Sequence, residues 1–410
     1  MIRSSGNIKM AVEAIRSARW RSLLTMLGII VGVVSVVSTV SLGEGAKRQV
    51  VGHIDHAGSD LITIKPGVAP KQDDGGQIAG LHLVSTVGAG SFSQDDLEAA
   101  AKAPGVKSVS ALSYVTNIAS IGKHTYESGF VVGTTDDLPE LLNQDLAFGS
   151  FFSTADSSKN VAVVGKRVAE QLFGENVPLG RTFKIRGQDF VVQGVFAEFP
   201  TSPLAPDADY NKMIFIPQDI AASLTKNNAQ MYQILARPDN SSQVDTAVRA
   251  IDTALYEAHS NQRDFSVLTQ ADNLALANQT LDLFTILIGG VAAISLTVGG
   301  IGILNIMLVS VTERTHEIGV RKAIGATNRQ ILSQFLTESA ILSFAGGFLG
   351  VVASVFVNYM FRIFTDLKPV LTWQIMLAAV AVSVTIGIVF GIAPALKAAH
   401  KRPIEALRHE

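Results

Sequence analysis

Four long apolar stretches constrain this chain more than any other feature. No charged residue occurs from Leu23 to Gly43, from Leu283 to Thr312 or from Val370 to Leu396, and Glu338 is the only one from Ile331 to Phe361. Each stretch exceeds the roughly 20 residues that cross about 30 Å of hydrocarbon. The expected fold class is therefore a membrane protein: four transmembrane α-helices with a large α+β extracytoplasmic domain between helices 1 and 2. Arg16, Arg19 and Arg21 precede the first stretch as they would in a signal peptide, but the run is longer than an h-region of about 7–15 residues. Only 17% of the 410 residues are charged and the mean hydropathy is +0.32, which excludes a disordered chain and argues against an ordinary soluble enzyme. The absence of cysteine excludes disulfide scaffolds, thiolate zinc sites and cysteine nucleophiles.

Charge orients the spans. Residues 1–22, 313–330 and 397–410 hold 13 Lys or Arg against 5 Asp or Glu, whereas 43–282 holds 18 against 28. Basic short segments flanking spans mark the cytoplasmic side, so both termini are expected inside and residues 44–282 outside. The division follows: 1–22 a cytoplasmic amphipathic helix, with Ile8, Val12 and Ile15 on one face; 23–43 the first span; 44–282 the extracytoplasmic domain; 283–312 the second span. Next come a cytoplasmic segment at 313–330, the third span at 331–357, a short outer loop at 358–369, the fourth span at 370–396 and a cytoplasmic tail at 397–410. An unstructured basic leader is the alternative for 1–22.

Within the outer domain, strand patterns occupy Asp60–Lys65, Val106–Tyr114, Phe130–Thr134, Lys212–Pro217 and Gln230–Arg237. Helices are expected at Gln94–Ala103, capped by Ser93, and at Val244–Ala258. Asn160–Phe173 reads as strand then helix, and Arg181–Ala197 as two strands turning at Arg186-Gly187-Gln188. Pro66–Gly90 and Phe199–Asn211 read as mobile loops, with Glu198, Asp207 and Asp209 facing solvent. Ala46, Val50 and Ile54 keep a helical period beyond the first span, as Leu274, Ala277, Leu281 and Phe284 do before the second, so both spans are expected to continue outward as stalks.

Signals for chemistry are sparse. No phosphate-binding G-x-x-x-x-G-K-[ST] occurs; Gly43-Glu44-Gly45-Ala46-Lys47 has the wrong spacing. His53, Asp55 and His56 form the only metal-like cluster, and a solvated stalk face explains them better. Glu338, the one carboxylate in a span, lies near the inner face within reach of Arg321 or Arg329, which suits a proton- or ion-driven carrier poorly. No catalytic residue, metal site or cofactor is expected in the chain. Gly28/Gly32, Gly346/Gly350 and Gly387/Gly391 each form G-x-x-x-G, the spacing that lets membrane helices approach closely, although glycine is also common in such helices without that role.

Thr312–Gln330, TERTHEIGVRKAIGATNRQ, interleaves both charge signs around Gly319 and Gly325. It reads as a short amphipathic helix at the membrane surface that ends near Gly325, either a docking element or a loop that only obeys the charge rule. Together with Gln334-Phe335-Leu336-Thr337-Glu338, the run GGIGILNIMLVSVTERTHEIGVRKAIGAT resembles the permease core of MacB/FtsX/LolC-type ABC transporters. RSARWRSLLTMLGIIVGVVSVVSTVSLGEGAK resembles their first span, and Pro394–Ala399 with Arg402–Arg408 their C-terminal signature. GRTFKIRGQDFVVQGVF and KMIFIPQDIA resemble their periplasmic core domain.

The resemblance implies that Glu313–Thr327 is a coupling helix seated in a cytoplasmic ATPase, with Glu313, Arg314, Glu317, Ile318, Arg321 and Lys322 at the contact. ATP and magnesium would be bound by a separate ATP-binding subunit, since no ATPase segment accompanies this sequence. It further implies a place in a bacterial inner membrane, a second permease copy, a periplasmic adaptor, an outer-membrane channel, lipid as the surrounding medium and no nucleic-acid partner. A domain inserted at about 118–226 is expected. The leading function is a mechanotransmitting permease for efflux of drug-like, peptide or other amphiphilic molecules. The alternatives are an FtsX-like transducer acting on a cell-wall hydrolase, a LolC/E-like lipoprotein-releasing permease and, least in keeping with four spans, a membrane-anchored enzyme.

Overall fold

The computed structural model describes residues 19–67, 91–200, 209–226 and 228–402, with backbone alone for 19–25 and 53–57. Most of the helix expected over 1–22, the greater part of the 66–90 loop and the 403–408 ending lie outside the described residues. The chain forms two compact units, Met1–Ala46 with Thr280–Glu410, and Lys47–Gln279. Helix α1 (Arg19–Ala57) is 39 residues long, about 58 Å at 1.5 Å per residue, roughly twice what a bilayer core requires.

The outer unit is built on one mixed sheet. Its strands are β1 (Ile62–Pro66), β2 (Val106–Thr116), β3 (Ala119–Ile121), β4 (His124–Tyr126), β5 (Val131–Thr134), β6 (Leu146–Gly149), β7 (Val161–Val164), β8 (Thr182–Ile185), β9 (Gln188–Phe196), β10 (Ile214–Pro217), β11 (Gln230–Pro238) and β12 (Phe265–Leu268). The spatial order is β12-β1-β11-β2-β5-β10-β7-β9-β8-β3-β4, and β6 adds to β9. β5 with β10 and β7 with β9 are parallel, the other pairs antiparallel. Helix α2 (Gln94–Ala101) starts at a capping box between Ser93 and Asp96, α3 (Gln218–Leu224) follows β10, and α4 is Val244–Ala258. Ala247, Ile251 and Leu255, one helical face of α4, pack with Leu97 and Ala100 onto Ile62, Ile64, Ile234 and Ala236. The β8–β9 turn uses Arg186 (φ 49°) and Gly187 (φ 84°), the left-handed pair a two-residue hairpin needs.

Strands between 118 and 226 are contiguous in this order and enclose a core of their own, with Phe183, Ile185, Phe190, Val192, Ile214 and Ile216, while the same sheet continues into the rest of the unit. β2 and β5 are joined by pairs such as Ser113 with Gly133 and Tyr114 with Val132. One core also mixes Leu61, Leu112 and Leu235 with Val132, Val163, Phe196 and Phe215.

The ends of the expected 199–211 loop are pinned rather than mobile. Asn211 donates to the Phe199 carbonyl and accepts from its N–H, both at 2.8 Å, while residues 201–208 lie outside the described set. Asp209, expected in solvent, is buried and pairs with Lys212 at 3.0 Å. The Tyr126 hydroxyl donates to the Lys212 carbonyl at 3.0 Å. Burial and the nearby Asp209 charge raise that hydroxyl's pKa above its ordinary value, so it remains a donor.

The other unit contains α5 (Gln270–Glu313) from Thr280 onward, α6 (Thr315–Ala323), α7 (Asn328–Phe364) and α8 (Trp373–Ala399). Among the described residues four helices, α1, α5, α7 and α8, are long and apolar enough to cross a membrane. α7 continues through Arg362 to Phe364, so the outer connection is shorter than 358–369; Thr372 caps α8 by accepting from the Ile375 N–H at 3.4 Å. The connection docks on α1, where the Val370 N–H donates to the Ser41 carbonyl at 2.9 Å.

Candidate functional site

Helix α6 is set off by local chemistry at both ends. Arg314, at φ −101° and ψ 19°, bends the chain between α5 and α6, and the Thr315 hydroxyl turns back to the Val311 and Thr312 carbonyls at 3.0 and 2.9 Å. At the other end Gly325 adopts φ 104°, and the N–H groups of Gly325 and Ala326 close on Lys322 and Arg321 carbonyls at 3.0 Å each, the left-handed stop typical of a helix C-terminus. Thr327 and Gln330 then cap α7 reciprocally, at 2.8 and 3.4 Å.

Side chains divide α6 into two faces. Ile318, expected at a partner contact, is 1% exposed and belongs to this chain's own core, with Met307, Val311, Ile331 and Phe335. Arg314 pairs with Glu338 of α7 at 3.5 Å, so the partner of that carboxylate is Arg314 rather than Arg321 or Arg329. Arg321 donates to Gln334 Oε1 at 2.9 Å and lies 3.7 Å from Glu317. Lys322 Nζ donates to the Ala399 and Lys401 carbonyls at 2.5 and 2.9 Å. Those carbonyls lie at the end of α8, where the helix dipole favours a cation. Three of the six residues expected to meet a partner therefore tether α6 to α7 and α8, and Ile318 anchors it.

The opposite face is open. Glu313, His316, Glu317 and Ala323 are exposed. Val320 is 37% exposed and Ile324 82%, apolar side chains at the edge of a polar segment. Glu313 and Glu317 on this face are among the residues the sequence singles out, whereas Val320 and Ile324 are not. Their signal was the i, i+4 spacing of two branched apolar residues offset from the Ile318 face.

The six glycines lie at helix crossings inside the chain. A Cβ on Gly28 would meet Gly299 Cα at 3.0 Å, and one on Gly32 would meet Leu296 at 2.8 Å, so α1 and α5 cross at backbone contact. Gly346 and Gly350 face Ile29 and Val33 of α1, at 3.2 and 2.7 Å from such a Cβ, and Gly387 and Gly391 face Ser343 and Ser339 of α7. Ser383 of α8 donates to the Ser343 carbonyl at 2.7 Å, and Asn358 lies 3.4 Å from the Ser38 hydroxyl of α1. These polar crossings were not legible in sequence, because serine in an apolar run carries no partner information.

Among the described residues no cluster of His, Cys, Asp and Glu suits a metal ion; the side chains of His53, Asp55 and His56 lie outside them.

Residues 22–254 match the family of MacB-like periplasmic core domains, and residues 289–403 match the FtsX-like permease C-terminal family. A pyoverdine export ATP-binding/permease protein of Pseudomonas aeruginosa (strain PAO1) is 36% identical over 406 residues, covering 97% of this chain and 58% of that protein. A macrolide export ATP-binding/permease protein of Marinobacter nauticus is 35% identical over 408 residues, covering 98% and 60%. This chain thus spans about three fifths of the length of such relatives. The crystal structure of the periplasmic region of MacB from Actinobacillus actinomycetemcomitans aligns with 57% of this chain and 97% of its own, at 16% identity and a TM-score of 0.45.

Proposed function

This chain belongs to the MacB/FtsX-type family of ABC transporter permeases, and from that premise we propose that it converts ATP-driven movement at α6 into movement of its outer domain. In this reading both termini and α6 face the cytoplasm, and the 47–279 unit faces the periplasm. A separate ATP-binding subunit receives the open face of α6 and holds the ATP and magnesium. Two copies of the chain work together, with a periplasmic adaptor and an outer-membrane duct. The cargo class is amphiphilic molecules already outside the cytoplasm, in keeping with the pyoverdine and macrolide export for which the relatives are named.

One observation carries the reading. α6 is fastened on one side, through Arg314–Glu338, Arg321–Gln334 and Lys322 to the end of α8, while Glu317, Val320 and Ile324 stand exposed on the other. A helix tied to two spans cannot be displaced without displacing them. Force applied to its free face therefore enters α7 and α8 directly, and continuous helices such as α1 and α5 resist stretching along their hydrogen-bonded axes.

The test is co-reconstitution with the ATP-binding subunit. Val320→Asp combined with Ile324→Asp places charge only on the open face, so thermal stability should hold while stimulation of ATP hydrolysis falls about tenfold or more. Stimulation equal to that of the unaltered chain would contradict docking at α6.

A further inference from the structure

An apolar groove of about 660 Å³ runs along the outer side of α7. Leu332, Leu336, Ala340 and Phe344 of α7 and Val384 and Ile388 of α8 line it, together with Arg329 in the first turn of α7. From Arg329 to Phe344 it extends about 22 Å at 1.5 Å per residue, more than the roughly 15 Å of one leaflet's hydrocarbon. Its two hydroxyl residues, Ser333 and Thr337, add little polarity, since the Thr337 hydroxyl is spent on the Ser333 carbonyl at 2.7 Å.

Arg329 is the informative residue. It is exposed, and among the described residues no ion pair or hydrogen bond is formed by its guanidinium. It stands in the first turn of α7, whose dipole disfavours a cation, and no acidic side chain of that turn offsets its charge. A long apolar slot with an unpaired cation at its membrane-surface end matches one chemistry, an acyl chain joined to an anionic headgroup. Basic pockets beside transmembrane helices at the cytoplasmic surface hold such headgroups.

We propose that the α7–α8 groove binds one anionic phospholipid from the leaflet on the α6 side, its acyl chain against Leu336, Ala340 and Phe344 and its phosphate at Arg329. The site adjoins the coupling tethers, because Gln334 and Glu338 on the same helix hold Arg321 and Arg314. A bound lipid would thus stiffen the helix through which α6 acts. This inference rests on the membrane reading above but not on docking of an ATPase, so lipid selectivity and ATPase stimulation report separately.

The experiment uses the full chain equilibrated with mixed micelles of phosphatidylglycerol and phosphatidylcholine, with bound lipid counted by native mass spectrometry. The unaltered chain should retain one phosphatidylglycerol in clear preference to phosphatidylcholine. Arg329→Gln should lower that preference about fivefold, the worth of one basic residue near a charged lipid surface, and Arg329→Lys should restore most of it. Ala340→Trp, which fills the slot, should remove the retained lipid while the thermal transition persists. No preference in the unaltered chain, or a preference untouched by Arg329→Gln, would overturn the proposal. So would efficient disulfide formation between Ser333→Cys residues of two copies in a bilayer, since the groove would then be covered by protein.

Discussion

Arg314 and Glu338 meet where α5 bends into α6, and the carboxylate is 7% exposed against 28% for the arginine. A buried carboxylate is tolerable only with a partner. Arg314→Met should therefore lower stability by about 2 kcal/mol, less than the 3–5 of a fully buried pair because water reaches the arginine. Adding Glu338→Gln should recover part of the loss, and thermal unfolding in detergent of the single and double variants measures the coupling. In the Lys47–Gln279 unit, Asn211→Ala should cost about 2–4 kcal/mol, since two buried Phe199 backbone groups lose their partner at once. The outer domain's thermal transition reads that loss. Neither arrangement was legible beforehand. From sequence Glu338 is open to hydration or to pairing with Arg321 or Arg329, which are nearer along the chain, whereas the bend at Arg314 brings a residue 24 positions away. Asp209 reads as a solvent-facing residue and Asn211 as the end of a mobile loop, because their partners are supplied by tertiary structure.

Helices were the legible elements, and the reason is length. The Val244–Ala258 helix was bounded correctly because Ala247, Ile251 and Leu255 repeat over 15 residues, and the Ser93 cap announced α2. β5, β7 and β10 are only four residues long but read as continuous buried apolar runs, whereas β3, β4 and β6 bury at most one residue each and carry no such signal. For α6 the helix and its Gly325 stop were readable, but not which side faced inward. Nine residues between two bends take their orientation from α7 and α8, and sequence spacing does not encode those contacts. The glycine crossings make a sharper prediction at this scale. Gly28→Ala drives a Cβ against the Gly299 backbone and should cost about 1–3 kcal/mol by overpacking. Gly290→Ala, with no atom within 4 Å of the added Cβ, should be neutral or stabilise by up to about 1 kcal/mol through helix propensity. Parallel melting curves of the two variants in one detergent check the contrast.

For the whole molecule, the proposed function is a path of force: an external subunit would press the open face of α6, the tethers would move α7 and α8, and the 47–279 unit would change its relation to a second copy. The chain's lack of cysteine makes this directly measurable. Lys123, exposed at the β3–β4 turn, can be replaced by cysteine and spin-labelled, and the distance between labels on two copies followed in a bilayer with the ATP-binding subunit present. The account predicts that trapping bound ATP shifts this distance distribution in the otherwise unaltered chain and leaves it unshifted when Val320→Asp and Ile324→Asp are added. A distribution indifferent to ATP, or a shift that survives loss of the α6 face, would contradict it.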